Sequence, residues 1–311
     1  MKTISIIIPL LNEAESLPEL TEQIAAQISK MPGYDYEILF INDGSTDASM
    51  EVIRTLAETN QRIKCLSFAK NYGKAAALSV GFKQAAGDFM ITMDADLQDD
   101  PAEIPELIQK LSEGFDLVSG WKKVRHDPVL SKNLPSKFFN WTTSKVSGIR
   151  LHDFNCGLKA YRKTAAKSLN FYGEMHRYLP VLCHWNGFKV TEKPVLHHPR
   201  KYGTTKYGIS RFFKGFLDLL TITFLRQYMR NPMHLFGFLG MLFTFAGLAV
   251  TAYFGVLWII EGALHLRPLM LLGVGAILMG IQFFSIGLIG EMITHTSKRE
   301  DYVINEEINL A

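Results

Sequence analysis

Two apolar runs near the C-terminus, Leu235–Ile260 and Pro268–Ile289, constrain the fold more than any other feature of the chain. Each is nearly uncharged and long enough, at about 1.5 Å per helical residue, to cross a hydrocarbon layer of about 30 Å. One such run is compatible with a buried helix of a soluble protein. Two in succession, joined only by Glu261–Arg267, point to a transmembrane hairpin over residues 232–293, with spans 235–260 and 268–290. Arg226 and Arg230 precede the first span and Lys298 and Arg299 follow the second, whereas the connecting loop holds Arg267 opposed by Glu261. The positive-inside rule then places both chain ends, including the tail 294–311, on the cytoplasmic side. Ile4–Leu11 is too short for a signal peptide and runs into acidic residues.

Upstream, polar and apolar stretches alternate as in a soluble α/β domain, expected over residues 1–208, with an amphipathic juxtamembrane segment at 209–231. A formal net charge of +3 over 311 residues gives no basic field for nucleic acid, so no nucleic-acid partner is expected. Cys65, Cys156 and Cys183 are too widely spaced for a disulfide framework or a zinc site and fit a reducing compartment. Ile4–Leu10 reads as a strand buried on both faces, followed by a helix at Leu17–Ile28 that Ser16 and Pro18 would start. Strands at Tyr36–Ile41, Ile63–Phe68, Phe89–Met93 and Phe115–Ser119 then alternate with helices at Ala48–Thr59, Lys74–Ala86 and Pro101–Glu113. Thr46 and Asp47 are candidate caps for the second helix, Asp99 and Asp100 for the helix at Pro101. This alternation predicts an α/β fold with a doubly wound, mostly parallel sheet, whose ligands bind at the carboxyl ends of the strands. The first strand-to-helix turn, Pro9–Glu15, contains no glycine, and no Walker loop occurs anywhere, which excludes a dinucleotide-binding fingerprint.

The fourth strand runs into Asp94-Ala95-Asp96-Leu97-Gln98. Side chains at alternate positions of a strand share a face, so Asp94 and Asp96 can converge on one hard cation, which wants oxygen ligands. Such a cation would hold a diphosphate without a glycine-rich loop.

Four segments in this order, Ile6-Ile7-Ile8-Pro9-Leu10-Leu11-Asn12-Glu13, Asn42-Asp43-Gly44-Ser45-Thr46-Asp47, Asn71-Tyr72-Gly73-Lys74 and Asp94-Ala95-Asp96-Leu97-Gln98, resemble the GT-A glycosyltransferases of family 2. With the apolar tail, the whole chain is similar to the polyprenyl-phosphate branch of that family, the dolichyl-phosphate mannose synthases and bacterial undecaprenyl-phosphate glucosyltransferases. The resemblance implies that Pro9, Leu11, Glu13, Ile41, Asp43 and Ala95 hold the nucleotide, and that Asp94, Asp96 and Gln98 bind Mg²⁺ or Mn²⁺ with the donor diphosphate. Lys122 stands where many mannose synthases place an arginine, which implies a catalytic role for it at phosphate, with the charge kept and the bidentate fork lost. Arg200 and Lys206 fall in a basic loop that implies contact with phosphate of donor or lipid, and the same loop would be attracted to anionic lipid. Asp153, in His152-Asp153-Phe154-Asn155-Cys156-Gly157, matches an acid near the acceptor; general base and acceptor-positioning group both stay open. His197 and His198 lack metal spacing and read as structural.

Two further segments, Leu134–Val146 and Ile209–Leu225, read as amphipathic interfacial helices, with Lys122–Asn133 as a lid between strand and helix. Gly240 and Gly247, and Gly273, Gly280 and Gly287, recur every seven residues, which allows close packing within the hairpin or between subunits of a homo-oligomer. The resemblance implies an inverting transfer of a hexose from a nucleotide sugar, UDP-glucose by preference, onto polyprenyl phosphate at the cytoplasmic face of a bacterial inner membrane. GDP-mannose and a UDP-aminosugar stay open as donors. Gln227-Tyr228-Met229-Arg230-Asn231 imitates a processive synthase motif but lacks its tryptophan, and two spans cannot enclose a polymer channel. A non-catalytic membrane scaffold is the rival of another class.

Overall fold

The computed structural model describes residues 1–123, 134–173, 175–199, 201, 221, 223–224, 232–262 and 267–296. Arg200, Lys206, the expected lid beyond Lys123 and nearly all of Ile209–Leu225 lie outside the described residues, as does the tail beyond Thr296. The chain divides into two compact units, the first ending at Asp218 and the second beginning at Leu219.

The first unit is built on β1 (Lys2–Leu10), α1 (Leu17–Ile28), β2 (Tyr34–Asn42), α2 (Ser49–Thr59), β3 (Ile63–Ser67), α3 (Lys74–Gln84) and β4 (Phe89–Thr92). A 3₁₀ turn at Pro101–Glu103 leads into α4 (Ile104–Ser112), then β5 (Leu117–Lys122), α5 (Leu134–Ser147), β6 (Lys159–Arg162) and α6 (Lys163–Ser168). A second 3₁₀ turn, Met175–Tyr178, precedes α7 (Leu179–Trp185) and β7 (Val190–Val195). The strands form one sheet in the order β3-β2-β1-β4-β6-β5-β7. Strand β6 runs antiparallel to both neighbours, β4 and β5, and every other pairing is parallel. The doubly wound expectation holds for the first four strands; beyond them β6 inserts between β4 and β5, a strand that the local pattern does not announce.

The hydrophobic pattern explains the arrangement. Ile4, Ile6, Ile7 and Ile8 of β1 are fully buried, as the central strand of a sheet covered on both faces requires. Helix α1 buries Leu17, Leu20, Thr21, Ile24 and Ile28, one stripe at helical spacing. Ser16 occupies its N-cap but turns its hydroxyl to Glu13 O (2.9 Å), so Pro18 rather than a side-chain cap marks the start. Asp47 accepts from Ser49 N (3.0 Å) at the start of α2 and from Ala14 N (3.2 Å), lacing the first two strand-to-helix turns together. At the amino edge of the sheet, Glu37 accepts from Ser5 Oγ, Ala86 N and Lys64 Nζ. Burial alone would raise its pKa, but the Lys64 ammonium and these donors hold it below the ordinary value.

The second unit consists of α8 (Pro232–Glu261) and α9 (Pro268–Thr296), 30 and 29 residues long. Their most apolar stretches are only 17% and 11% buried, so the side chains face outward instead of forming a soluble core. The glycines lie at the helix–helix contact. A Cβ on Gly240 would stand 2.6 Å from Phe284 Cδ2, on Gly247 2.5 Å from Gly273 O, and on Gly280 2.8 Å from Gly240 O. The seven-residue glycine interval therefore serves packing within the hairpin. Glu291 Oε2 accepts from Met233 N (3.4 Å), a cap for α8 supplied by α9.

Candidate active site

The carboxyl edge of the sheet gathers most of the expected residues. Pro9 and Ile41 are Cα partners across β1 and β2, and Asp43 N donates to Leu10 O (2.9 Å). Asn12, with φ +56°, accepts at Oδ1 from Thr46 N (2.8 Å) and donates from its own N–H to Ser45 Oγ (2.9 Å), while Glu13 N donates to Ser49 Oγ (3.1 Å). Pro9, Leu11, Glu13, Ile41 and Asp43 thus line one stretch of this edge. The Asp43 carboxylate is turned toward the third loop, where it accepts from Tyr72 N (2.7 Å) and Gly73 N (3.0 Å). Gly44 sits where a Cβ would meet Lys70 C at 2.6 Å, so glycine is required for the two loops to approach. Asn42 bonds Ser67 Oγ and Ser45 N, a framework role.

Strand β4 stops at Thr92, and Asp94–Leu97 form a turn with Leu97 at φ +59°. The strand-alternation argument for Asp94 and Asp96 therefore fails; a turn, not a pleat, sets their orientation. Asp94 is ion-paired with Lys74, the first residue of α3, and keeps about a third of its side chain exposed. Its second oxygen lies against Gly157, where a Cβ would come within 2.6 Å of Oδ2. Asp96 is 8% exposed and accepts from Gln98 N (3.2 Å), an Asx turn that fixes its carboxylate. Gln98 donates from Nε2 to His198 O (3.4 Å), and its own carbonyl accepts from His198 N and His197 Nδ1. The histidines thereby staple the turn to the 196–198 segment, in keeping with their structural reading.

Behind the turn lies a layer of paired charge. Lys122 Nζ stands 3.0 Å from Asp99, whose side chain is fully buried. Lys122 was expected at phosphate and Asp99 at a helix cap; each is instead the other's counter-ion. Asp100 does cap, accepting from Ala102 N (2.8 Å), and binds His198 Nε2 (3.0 Å). Burial lowers the Lys122 pKa, but the Asp99 and Asp94 carboxylates outweigh it and raise it well above the usual lysine range. Lys159 of β6 is buried and donates to Cys156 O. Burial, aided by Lys74, lowers its pKa against the pull of Asp153 and Asp94. Asp94 shows the opposite balance: burial favours its neutral form, yet Lys74, then Lys122 and Lys159, hold it well below the carboxylate range. Burial pushes the Cys156 thiol up to about 12, so it stays protonated. Asp153 is 1% exposed and accepts from Asn155 N (3.0 Å) in a turn and caps no helix.

Lys74, Lys159 and Gly157 thus belong to the site without a role assigned from sequence. Lys74 and Gly157 fall in segments that carry the family resemblance, and Lys159 is a lysine inside the apolar run Leu158–Tyr161. Among the described residues no three His, Cys, Asp or Glu side chains form a metal group by themselves. Two carboxylates on one turn, Asp94 held ionised and about a third exposed, with a glycine clearing space beside it, suit a hard cation that takes its remaining oxygens from phosphate and water.

Comparison with known proteins gives the family and the fold. Residues 5–169 match the glycosyl transferase family 2 model. The chain is 34% identical over 306 residues to the dodecaprenyl-phosphate galacturonate synthase of Rhizobium johnstonii, covering 96% of this chain and 89% of that protein. It is 32% identical over 323 residues to the undecaprenyl-phosphate 4-deoxy-4-formamido-L-arabinose transferase of Pectobacterium atrosepticum, covering 100% and 95%. Among solved structures it resembles a Pyrobaculum calidifontis mannosyltransferase in complex with GDP-Man and Mn²⁺, with TM-score 0.52 and 19% identity, over 95% of this chain and 88% of that one. Glucosyl-3-phosphoglycerate synthase of Mycobacterium tuberculosis, with Mn²⁺, UDP and phosphoglyceric acid, aligns at TM-score 0.56 and 17% identity, over 72% and 78%. These neighbours share the GT-A fold. With more than half its length matched to the family model and relatives above 30% identity along its whole length, the chain belongs to glycosyltransferase family 2.

Proposed function

We propose that the protein transfers a sugar from a nucleotide sugar onto a polyprenyl phosphate at a membrane surface. The observation that carries this reading is the Asp94–Asp96 turn, with Asp94 held ionised by Lys74, at the carboxyl edge of a GT-A sheet, in a chain whose full-length relatives are named for polyprenyl-phosphate sugar transfer. Those relatives are named for galacturonate and 4-deoxy-4-formamido-L-arabinose, so they lend the UDP-glucose expectation no support. We therefore propose a donor with a modified sugar, a uronate or an aminosugar-type pentose.

Asp94 and Asp96, with Gln98 as a neutral third oxygen, would hold Mg²⁺ or Mn²⁺, which when bound supplies Lewis-acid stabilisation of the leaving diphosphate. Pro9, Leu11, Glu13, Ile41 and Ala95 would shape the nucleotide pocket, with Asp43 holding the Tyr72–Gly73 backbone that closes it. Arg200 and Lys206 would meet phosphate. The acceptor oxygen forms a bond to the anomeric carbon as the bond to the diphosphate oxygen breaks, so the configuration inverts and a nucleoside diphosphate leaves. A phosphate monoester has its second pKa near 6 and is already anionic at neutral pH, so no proton need be removed. Asp153 then positions the acceptor and offers negative charge to the oxocarbenium-like centre. The two long helices would anchor the chain with its catalytic unit in the cytoplasm.

The test offers purified protein undecaprenyl phosphate, Mg²⁺ or Mn²⁺, and radiolabelled UDP-galacturonate, UDP-4-deoxy-4-formamido-arabinose, UDP-glucose or GDP-mannose, beside Asp96→Ala. Label entering lipid from one donor and lost in the variant establishes the activity and names the sugar. Nucleotide binding with no label in lipid from any donor overturns the acceptor assignment.

A further inference from the structure

We propose that His152 is the ligand for the phosphate monoester of the acceptor, held ready by Glu192 and Trp121; this rests on the polyprenyl-phosphate reading above. Three constraints act on this one surface side chain. Its main-chain N–H donates to Glu192 Oε2 at 2.7 Å, and its ring Nδ1 engages Glu192 Oε1. The Glu192 side chain is 15% exposed, so a largely desolvated carboxylate spends both oxygens on a single residue. The imidazole also stacks on Trp121, with centroids 4.1 Å apart and planes within 17°. Yet the His152 side chain is 64% exposed. A ring needed only for packing would be covered, and an ordinary surface histidine would not be fixed in orientation.

Engaging Nδ1 with a carboxylate fixes the ring's direction and leaves Nε2 pointing away from Glu192, the arrangement by which a second group orients a ligating or reacting histidine. When protonated, Nε2 donates to an anionic oxygen; when neutral, it accepts from the hydroxyl of a phosphate monoanion. Both pairings suit a phosphate monoester.

The location favours the acceptor over the donor. Alternation along β5 puts Trp121 on the face of Ser119, the Cα partner of Lys159, and the charges of both Asp94 and Asp153 act on Lys159. The His152 ring therefore stands on the Lys159 side of β5, one residue from Asp153 and outside the aspartate turn itself. Asn140 of α5 fastens the same segment, donating to His152 O at 2.7 Å.

The experiment labels the histidine rings of the full chain in detergent micelles with ¹⁵N and assigns His152 as the resonance lost in His152→Gln. Farnesyl phosphate, farnesol and UDP are titrated separately. The proposal expects a saturable His152 shift with farnesyl phosphate alone, weakened about tenfold or more in Glu192→Gln, where the orienting charged hydrogen bond is lost. In transfer assays His152→Gln raises the KM for acceptor and leaves that for donor unchanged. No shift with farnesyl phosphate, or a shift with UDP in its place, overturns the proposal even if the wild type transfers sugar. A shift without any transfer to polyprenyl phosphate leaves the phosphate site standing and removes the acceptor reading instead.

Discussion

Asp94 is an acid that its burial would neutralise and its neighbouring ammonium groups keep ionised, and Lys74 is the nearest of these. Replacing that lysine with methionine preserves much of the apolar stem and removes the charge. The loss of a charge-assisted hydrogen bond costs about 1.5–3 kcal/mol, so Lys74→Met should lower kcat/KM roughly 10–100-fold. The pH profile separates this effect from a packing defect. In the wild type the Asp94 pKa lies far below the assay range and cannot set the acid limb. Without Lys74 the burial term gains weight, the pKa rises, and the acid limb of kcat/KM should move to higher pH. An unchanged limb between pH 5 and 8 would show that Lys74 does not govern the protonation of Asp94. Gly157→Ala tests the other side of the same carboxylate. Its methyl group would stand 2.6 Å from Asp94 Oδ2, so the acid must turn away. Activity should fall at least tenfold while the circular dichroism of the protein stays unchanged.

Among the elements, those with a strong local period were legible in the sequence. Helix α1 shows its buried stripe and its proline, and β1 its run of isoleucines; both lie within two residues of the bounds read from sequence. Strand β6 was not legible, because four residues, Lys159–Arg162, carry two charges and gain their strand geometry from β4 and β5 on either side. The site divides in the same way. Asp94 and Asp96 stand out by type and spacing, whereas the pairing of Lys122 with Asp99 depends on β5 and the turn meeting in space, which no local pattern encodes. Helix α5 illustrates what such long-range contacts do. Its Asn140 is nearly buried, donates to His152 O (2.7 Å) and accepts from Phe154 N (3.5 Å), gripping the backbone on both sides of Asp153. The adjacent Trp141 is 58% exposed, with Lys145 5.4 Å over its ring, as on an interfacial face. Asn140→Ala should therefore lower kcat several-fold with the donor KM unchanged. It should cost about 1 kcal/mol of stability, a fall of about 2–4 °C in Tm for a domain of this size. A rise in donor KM with kcat intact would assign Asn140 to general packing instead.

At the scale of the whole molecule, the two units are held together by different means, and a mutation in one need not reach the other. The catalytic unit is held by an apolar core and by buried ion pairs such as Lys193 with Glu103. The second unit, with its apolar side chains facing outward, is held by the close approach of α8 and α9, and in the membrane role proposed above it would have no apolar driving force to add. Gly280 sits at that approach, where even a Cβ would come within 2.8 Å of Gly240 O, a backbone atom that cannot rotate away. Gly280→Leu must push the helices apart and forfeit the interlocking of Gly240, Gly247 and Gly273 along the seam. The variant should aggregate or lose its monodisperse peak in detergent at temperatures the wild type tolerates, and transfer to a long polyprenyl phosphate should fall. Binding of UDP or GDP with Mn²⁺, measured calorimetrically before aggregation sets in, should match the wild type, because no residue expected to hold nucleotide lies in the hairpin. Intact lipid transfer and detergent stability would show that the glycine seam is dispensable. A parallel loss of nucleotide binding would show that the hairpin supports the fold of the catalytic unit, and that the two units are not separable in function.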